Sequence, residues 1–322
     1  MNYLVVGGAG FIGSYIVDHL ILQPNTSHIV VYDNFSSGKL WHLNSHSKAP
    51  KLSIIKADIY DDNIFEATKN IDVVILLAAN PDISKAATQP DIDFHQGTFL
   101  TQIVLEAMRI AGCKNLIYAS GSGVYGDVGS TITNENFSPM HPISTYGASK
   151  LSCEALISSY CHMFSIKASA FRFGNVVGGR QTHGVAYDFL KRLYKNGSEL
   201  TILGDGNQSK PYVYITDIIN AINIAFHKQT KIFDVYNVAP NDFINVNEIA
   251  HYVLEALNLD NKKCVLKHHG GDRGWKGDVP IVRLDTDKIR SLGWKSSYTS
   301  AEAIQRSIIE MIKNREMLFS NA

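Results

Sequence analysis

The sequence predicts an α/β fold: a doubly wound parallel sheet followed by a smaller C-terminal α/β domain. Three observations carry the prediction. Short β-branched runs alternate with helical stretches through the first half of the chain. A glycine-rich turn joins the first strand directly to the first helix. After about residue 175 the pattern changes to helices separated by short strands and loops.

The elements follow in order. Tyr3–Val6 is a short apolar run, read as the first strand, and residues 11–22 carry Ile12, Ile16 and Leu20 at helical period. His28–Tyr32 is the second strand, and residues 53–55, 73–77 and 116–119 are further strands. Residues 94–110 read as one long helix that Gly112 ends. Strands separated by helices imply a parallel sheet covered on both faces. Beyond 175, helices are expected near 184–195, 216–227, 245–258 and 299–315, with glycine-rich loops at 204–206 and 270–277. The expected domains are 1–175 and 176–322, with a return of the chain to the first around 211–238.

Bulk composition narrows the function classes. A chain of 322 residues that is 45% hydrophobic has ample material for a large core. Its 30 basic and 30 acidic residues cancel, which gives no reason to expect nucleic acid or an anionic membrane as partner. Cys113, Cys153, Cys161 and Cys264 form no Cys-x-x-Cys pair and no metal-ligand cluster, so no metal is expected and a reducing, cytoplasmic setting fits. No basic segment precedes the apolar start, and no run of about 18 apolar residues occurs, so neither a signal peptide nor a membrane span is expected.

Residues 7–13 read Gly-Gly-Ala-Gly-Phe-Ile-Gly between the first strand and the first helix. Glycines there permit a tight turn, a close backbone approach to a pyrophosphate, and close helix–sheet packing. The helix then offers its N-terminal N–H groups and positive dipole end to phosphate. Gly7, Gly10, Phe11, Ile12 and Gly13 are therefore candidate dinucleotide contacts in a Rossmann-type sheet. Asp33 ends the second strand 20 residues after Gly13, where an acid hydrogen-bonds the adenosine ribose. A carboxylate there repels the extra phosphate of NADP, so NAD is the expected cofactor. Asn34 and Ser36 assist, and Asp58 is placed to reach the adenine, its plainer role being that of a turn residue.

Tyr146 and Lys150 stand four residues apart, on one face of a helix. A free phenol, with pKa about 10, is a poor base at neutral pH. A positive charge about 4 Å away at an effective dielectric near 20 is worth roughly 4 kcal/mol, or about three pKa units. The pair is thus a candidate proton-transfer device.

Taken together, these motifs resemble the extended short-chain dehydrogenases/reductases, in the nucleotide-sugar epimerase/dehydratase group. The resemblance runs through the glycine turn, Asp33-Asn34, Ala78-Ala79, Val124-Tyr125-Gly126, Tyr146 and Lys150, residues 171–178, residues 211–217 and residues 270–280. It covers essentially the whole chain, and its last segment is most similar to UDP-glucose 4-epimerase-like members. The resemblance implies NAD as cofactor, held also by Gly38, Ile59, Leu77, Ala78, Ala79, Ser120 and Phe173. It implies that Tyr146 takes the proton from a sugar hydroxyl while the hydride of the same carbon passes to NAD. Lys150 holds the cofactor ribose and lowers the pKa of the phenol. Asn175, Lys210, Arg273 and Asp278 are the implied grip on a nucleotide-diphosphate sugar, a UDP-sugar first of all. A homodimer through residues 94–110 and the Tyr146 helix is implied by the family alone.

Three positions depart from the family pattern. The hydroxyl residue four before Tyr125 is Gly121, flanked by Ser120 and Ser122, and Ser122 is expected to supply the missing group. Leu76 replaces a histidine, and Phe94 replaces an asparagine three residues before Gly97-Thr98. Residues 121–124 read Gly-Ser-Gly-Val and offer none of the acids that dehydratases or decarboxylases place there, so epimerisation is favoured. A dehydrogenase, reductase or dehydratase on a modified sugar nucleotide, and a non-catalytic NAD-binding protein, are the alternatives.

Overall fold

The structure is a computed structural model that describes residues 1–61, 63–259 and 263–319. The last three residues of the expected second domain, 320–322, lie outside the described part. In chain order the elements of the first half are β1 (Asn2–Val6), α1 (Phe11–Leu22), β2 (His28–Asp33), β3 (Leu52–Lys56), α2 (Asn63–Ala67), β4 (Val73–Leu76), α3 (Leu100–Ala111), β5 (Asn115–Gly121), α4 (Thr145–Phe164) and β6 (Lys167–Phe173). There follow β7 (Asn175–Val177), α5 (Val185–Lys195), β8 (Glu199–Ile202), β9 (Ser209–Lys210), β10 (Tyr212–Tyr214), α6 (Ile215–Lys228) and β11 (Phe233–Val238). The chain continues through β12 (Ile244–Asn245), α7 (Val246–Ala256), β13 (Val265–His268), α8 (Asp287–Ser291), α9 (Ser300–Lys313) and α10 (Arg315–Phe319).

Seven strands form the main sheet in the order β11-β6-β5-β4-β1-β2-β3. β1 pairs in parallel with β2 and β4, β2 with β3, and β4 with β5. The order reverses between β1 and β4, which is the crevice where such sheets bind dinucleotides. Strand β4 is buried at every position, as a sheet covered on both faces requires. Its neighbour α3 buries Leu100, Val104, Leu105 and Met108 along one stripe. These join Leu4, Tyr32, Leu76, Tyr118, Cys153 and Ile157 in one apolar core. Gly112, at φ 76°, ends α3 in the left-handed conformation, its N–H returning to the carbonyl of Arg109.

The chain divides into two compact units. The first comprises Met1–Val124, Thr145–Arg172 and Ile219–Tyr236, and the second Tyr125–Ser144, Phe173–Ile218 and Asn237–Ala322. Residues 125–144, expected in the first domain, cluster with the second. The reason is pairing: Thr133 bridges Leu284, Asn237 Nδ2 donates to the carbonyl of Thr133 at 2.9 Å, and Tyr125 donates to Asn237 Oδ1 at 2.7 Å. In the second unit β7 pairs with β10, β9 with β12 and β8 with β13. Helices α7 and α9 each begin with a complete capping box, Asn245/Glu248 and Thr299/Glu302.

The long helix expected over 94–110 is two pieces. Phe94–Phe99 form a π turn and the α-helix begins at Leu100. Periodicity alone does not separate them, because a single π turn is too short to show a period of its own beside the α-helix that follows.

Candidate active site

Four cysteines remain free and buried, and no metal-binding cluster exists among the described residues. No helix among them is long and apolar enough to cross a membrane.

The glycine turn is built by crowding. Gly7 has φ +84°, and a Cβ on it would lie 2.8 Å from the amide nitrogen of Ala78. A Cβ on Gly13 would collide with the carbonyl of Gly7. The N-terminus of α1 has Gly10 as its cap, with no side-chain cap and no acid in the first turn. Its first-turn amides, those of Phe11, Ile12 and Gly13, thus suit a pyrophosphate. The amides of Leu77 and Ala78 both donate to Val6, which seats the residues after β4 against this turn.

Asp33, nearly buried at the end of β2, accepts from the amide of Ala9 at 2.9 Å and of Phe35 at 2.8 Å. Burial pushes its carboxyl up, and the two amide bonds act in the opposite direction. Gly38 is held close, since a Cβ there would lie 2.8 Å from Asp33 Oδ1. Asn34 donates to Asp58 Oδ2 at 2.7 Å and its own Oδ1 accepts from the amide of Ser36. Asp58 thus joins the Asp33 cluster, with Ile59 buried beside it. His42 was not foreseen: its Nδ1 lies 2.7 Å from the carbonyl of Ala9, inside the glycine turn. An uncapped amide row, a turn with no room for a Cβ at Gly7 or Gly13 and a carboxylate at the strand end together fit NAD.

Tyr146 and Lys150 occupy successive turns of α4. Lys150 is buried; its Nζ donates to the carbonyl of Ala119 at 2.6 Å and sits 5.6 Å from the Tyr146 ring centroid. The expected lowering of the phenol is corrected here. Burial, then the charges of Asp93 and Cys153, push Tyr146 up to about 12. Burial brings Lys150 down to about 8. The ammonium stands near the ring and donates a hydrogen bond to the Ala119 carbonyl; Lys150 is buried and Tyr146 half-buried, and desolvation outweighs their attraction.

Ser120, expected at the cofactor, turns its hydroxyl into the interior. Its hydroxyl donates to Glu154 Oε1 at 2.6 Å, and Glu154 is paired with Arg172 at 2.6 Å in a buried cluster. Ser122 opens a short 3₁₀ turn, Ser122–Tyr125, and is half-buried. A Cβ on Gly121 would meet nothing within 4 Å, so packing does not exclude a side chain there. Glu154 could have been read from the sequence, because it continues the Tyr146–Lys150 spacing by one more turn.

The residues expected to grip the substrate lie in the second unit, where β6 hands over at Phe173. Asn175 opens β7 and its side chain hydrogen-bonds the buried phenol of Tyr212, which burial holds well above the usual tyrosine range. Lys210 pairs with Asp278 at 2.6 Å. Arg273 donates to the carbonyl of Asp278 at 2.6 Å and pairs with Asp127 at 2.5 Å. The structure therefore brings Lys210, Arg273 and Asp278 together and adds Asp127, a carboxylate that sequence reasoning did not single out.

Residues 3–239 match the model of the NAD dependent epimerase/dehydratase family. A solved UDP-galactose 4-epimerase is 34% identical with a TM-score of 0.86, over 98% of this chain and 99% of that one. The UDP-glucose 4-epimerase of Thermotoga maritima, solved with UDP-glucose, is 30% identical with a TM-score of 0.86, over 98% of this chain and 100% of that one. The UDP-glucuronic acid 4-epimerase of Bacillus cereus, solved with UDP-glucuronic acid and NAD, is 25% identical with a TM-score of 0.88, over 98% and 100%.

Proposed function

The chain belongs to the NAD dependent epimerase/dehydratase family, and from that premise we propose that it is an NAD-dependent 4-epimerase of a UDP-hexose. The observation that carries the reading is Tyr146 beside buried Lys150 on α4, in the same unit as a glycine turn fitted to a dinucleotide. Bound NAD supplies a reversible two-electron oxidant. Gly7, Gly10 and Gly13 with the first-turn amides of α1 hold its pyrophosphate, and Asp33 its adenosine ribose. Tyr146 Oη takes the proton of the sugar hydroxyl and returns it. Lys150, anchored on Ala119, meets the cofactor ribose and stabilises the phenolate once it forms. Ser122 donates a hydrogen bond to the sugar oxygen in place of the hydroxyl lost at Gly121. Asn175, Lys210 and Arg273 take the diphosphate, and Asp278 accepts from the nucleotide ribose.

The absence of any acid in residues 121–124 favours epimerisation over elimination. The test is a coupled assay with UDP-glucose, UDP-galactose and their N-acetyl forms. Conversion without net change in reduced-nicotinamide absorbance is expected. Steady accumulation of that absorbance means net oxidation instead, and no conversion of any sugar by NAD-loaded protein removes the reading. Two copies are further proposed to pair through α3 and α4, in the cytoplasm. Ile110 and Met163 on those helices are well exposed, which supports the pairing. Light scattering that returns a monomer mass refutes it.

A further inference from the structure

Asp93 is 2% exposed and makes a tight set of bonds. Its Oδ1 accepts from Asn80 Nδ2 at 2.9 Å and its Oδ2 from Thr145 Oγ1 at 2.7 Å. Its carbonyl accepts from Ser149 Oγ at 2.7 Å, and Thr98 Oγ1 lies 3.0 Å from the same hydroxyl. Thr145 and Ser149 immediately precede Tyr146 and Lys150 on α4. One residue thus ties both turns that carry the proton-transfer pair.

The π turn explains why this residue is Asp93. Phe94, which stands where the family resemblance places an asparagine, is 54% exposed, so it offers nothing inward. The turn is wider than an α turn by one residue, and the residue before it faces α4 instead. Contact is close: a Cβ on Gly97 would collide with Ser149 Oγ.

The groups that face the Tyr146 phenol are Asp93 from the segment before the π turn, Lys150 and Cys153 from α4, and Tyr118 from β5. Glu154 acts on Lys150 from the next turn. Among these Asp93 opposes the phenolate most directly, after burial itself.

We propose that Asp93 is a positioning residue of the active site, its buried carboxylate and carbonyl tying the Tyr146 and Lys150 turns of α4 to the π turn. The inference rests on Tyr146 being the base, and it assigns to this chain a counterweight. The Asp93 carboxylate, which bonds the residue next to Tyr146, adds to burial in opposing the phenolate.

The test is a spectroscopic titration of the phenolate band in NAD-saturated protein, each sample referenced to its Tyr146→Phe counterpart. Asp93→Asn is expected to lower the midpoint by about half a pH unit or more and to move the acid limb of kcat the same way. NAD affinity should stay within about twofold of wild type. Thr145→Val keeps the charge and cuts one tie, so kcat should fall about tenfold with the midpoint unmoved. An Asp93→Asn midpoint equal to wild type overturns the charge role. If Asp93→Asn does not fold, Thr145→Val decides, and an unchanged kcat in that variant overturns the positioning role. The titration needs no turnover, so a protein that converts no sugar defeats the epimerase reading and leaves this one measurable.

Discussion

Lys150 shows how strongly a single buried amine constrains its surroundings. Its ammonium is brought down to about 8 by burial. The sign of the linkage follows. The fold disfavours the charged form, so the cost is fully present below about pH 8. It is relieved as pH rises from there to the ordinary lysine range, because the unfolded chain binds the proton more tightly than the folded one. Lys150→Met should therefore gain stability relative to wild type at neutral pH, and the difference should shrink between about pH 8 and 10.4 in urea melts. The same variant should lose turnover, as should Tyr146→Phe, by at least about a thousandfold in kcat, with NAD binding by fluorescence titration retained in the Tyr146→Phe protein. Gly121 offers a complementary test. The space at its Cβ is open, so Gly121→Ser should change stability by less than about 0.5 kcal/mol. Ser122→Ala should lower kcat about a hundredfold in the native background and markedly less in Gly121→Ser. Equal losses in both backgrounds would remove Ser122 from the assigned role.

At the scale of the element, α4 is held by more than its catalytic face. Glu154 pairs with Arg172 of β6 in the interior, and Ser120 of β5 donates to the same carboxylate. Removing one partner strands a buried charge. Glu154→Ala should cost about 3–5 kcal/mol in chemical denaturation, while a paired Glu154→Leu/Arg172→Met replacement should recover most of that loss. A smaller effect is expected at α9, where Thr299 accepts from the amide of Glu302 at 3.3 Å. Thr299→Ala should cost about 1 kcal/mol without touching kcat. Elements also mark where sequence reasoning reached and where it stopped. The strands β1, β2, β4 and β5 and the helix α1 were legible because apolar period and flanking glycines agree locally. The Tyr146–Lys150–Glu154 spacing is equally legible, although the partner of Glu154, Arg172, lies on another element. The π turn was not legible. Its widened hydrogen-bond pattern depends on Ser149 and Thr145 of a helix some 50 residues on, and no local pattern carries that information.

At the scale of the whole molecule, the glycine turn should make stability depend on the dinucleotide. A ligand at a hundred times its Kd adds about 2.7 kcal/mol to the folded state. Saturating NAD should raise the melting temperature of wild type, and Gly13→Val, which places bulk against the Gly7 carbonyl, should abolish that rise. A rise of the same size in Gly13→Val would show that the turn does not hold the cofactor. The two-unit organisation was only half legible. The shift near residue 175 reflects a true change in local pattern, and structure divides the chain close by, after Arg172. The transfer of residues 125–144 to the second unit arises from bridges to Leu284 and Asn237. Partners more than 100 residues away leave no trace in a local window.

Strand β11 closes one side of the sheet, beside β6, although it is encoded some 60 residues later. A ribosome that has released only the first 175 residues has therefore made a sheet with a raw flank. On that flank sits Ala168 to Phe173, buried at every position in the finished protein. Such a nascent chain has an adhesive margin until Phe233–Val238 emerges to seal it. Gene fragments that stop at the apparent halfway point should accumulate as insoluble material for this reason, whereas fragments that run past residue 238 retain the protecting strand.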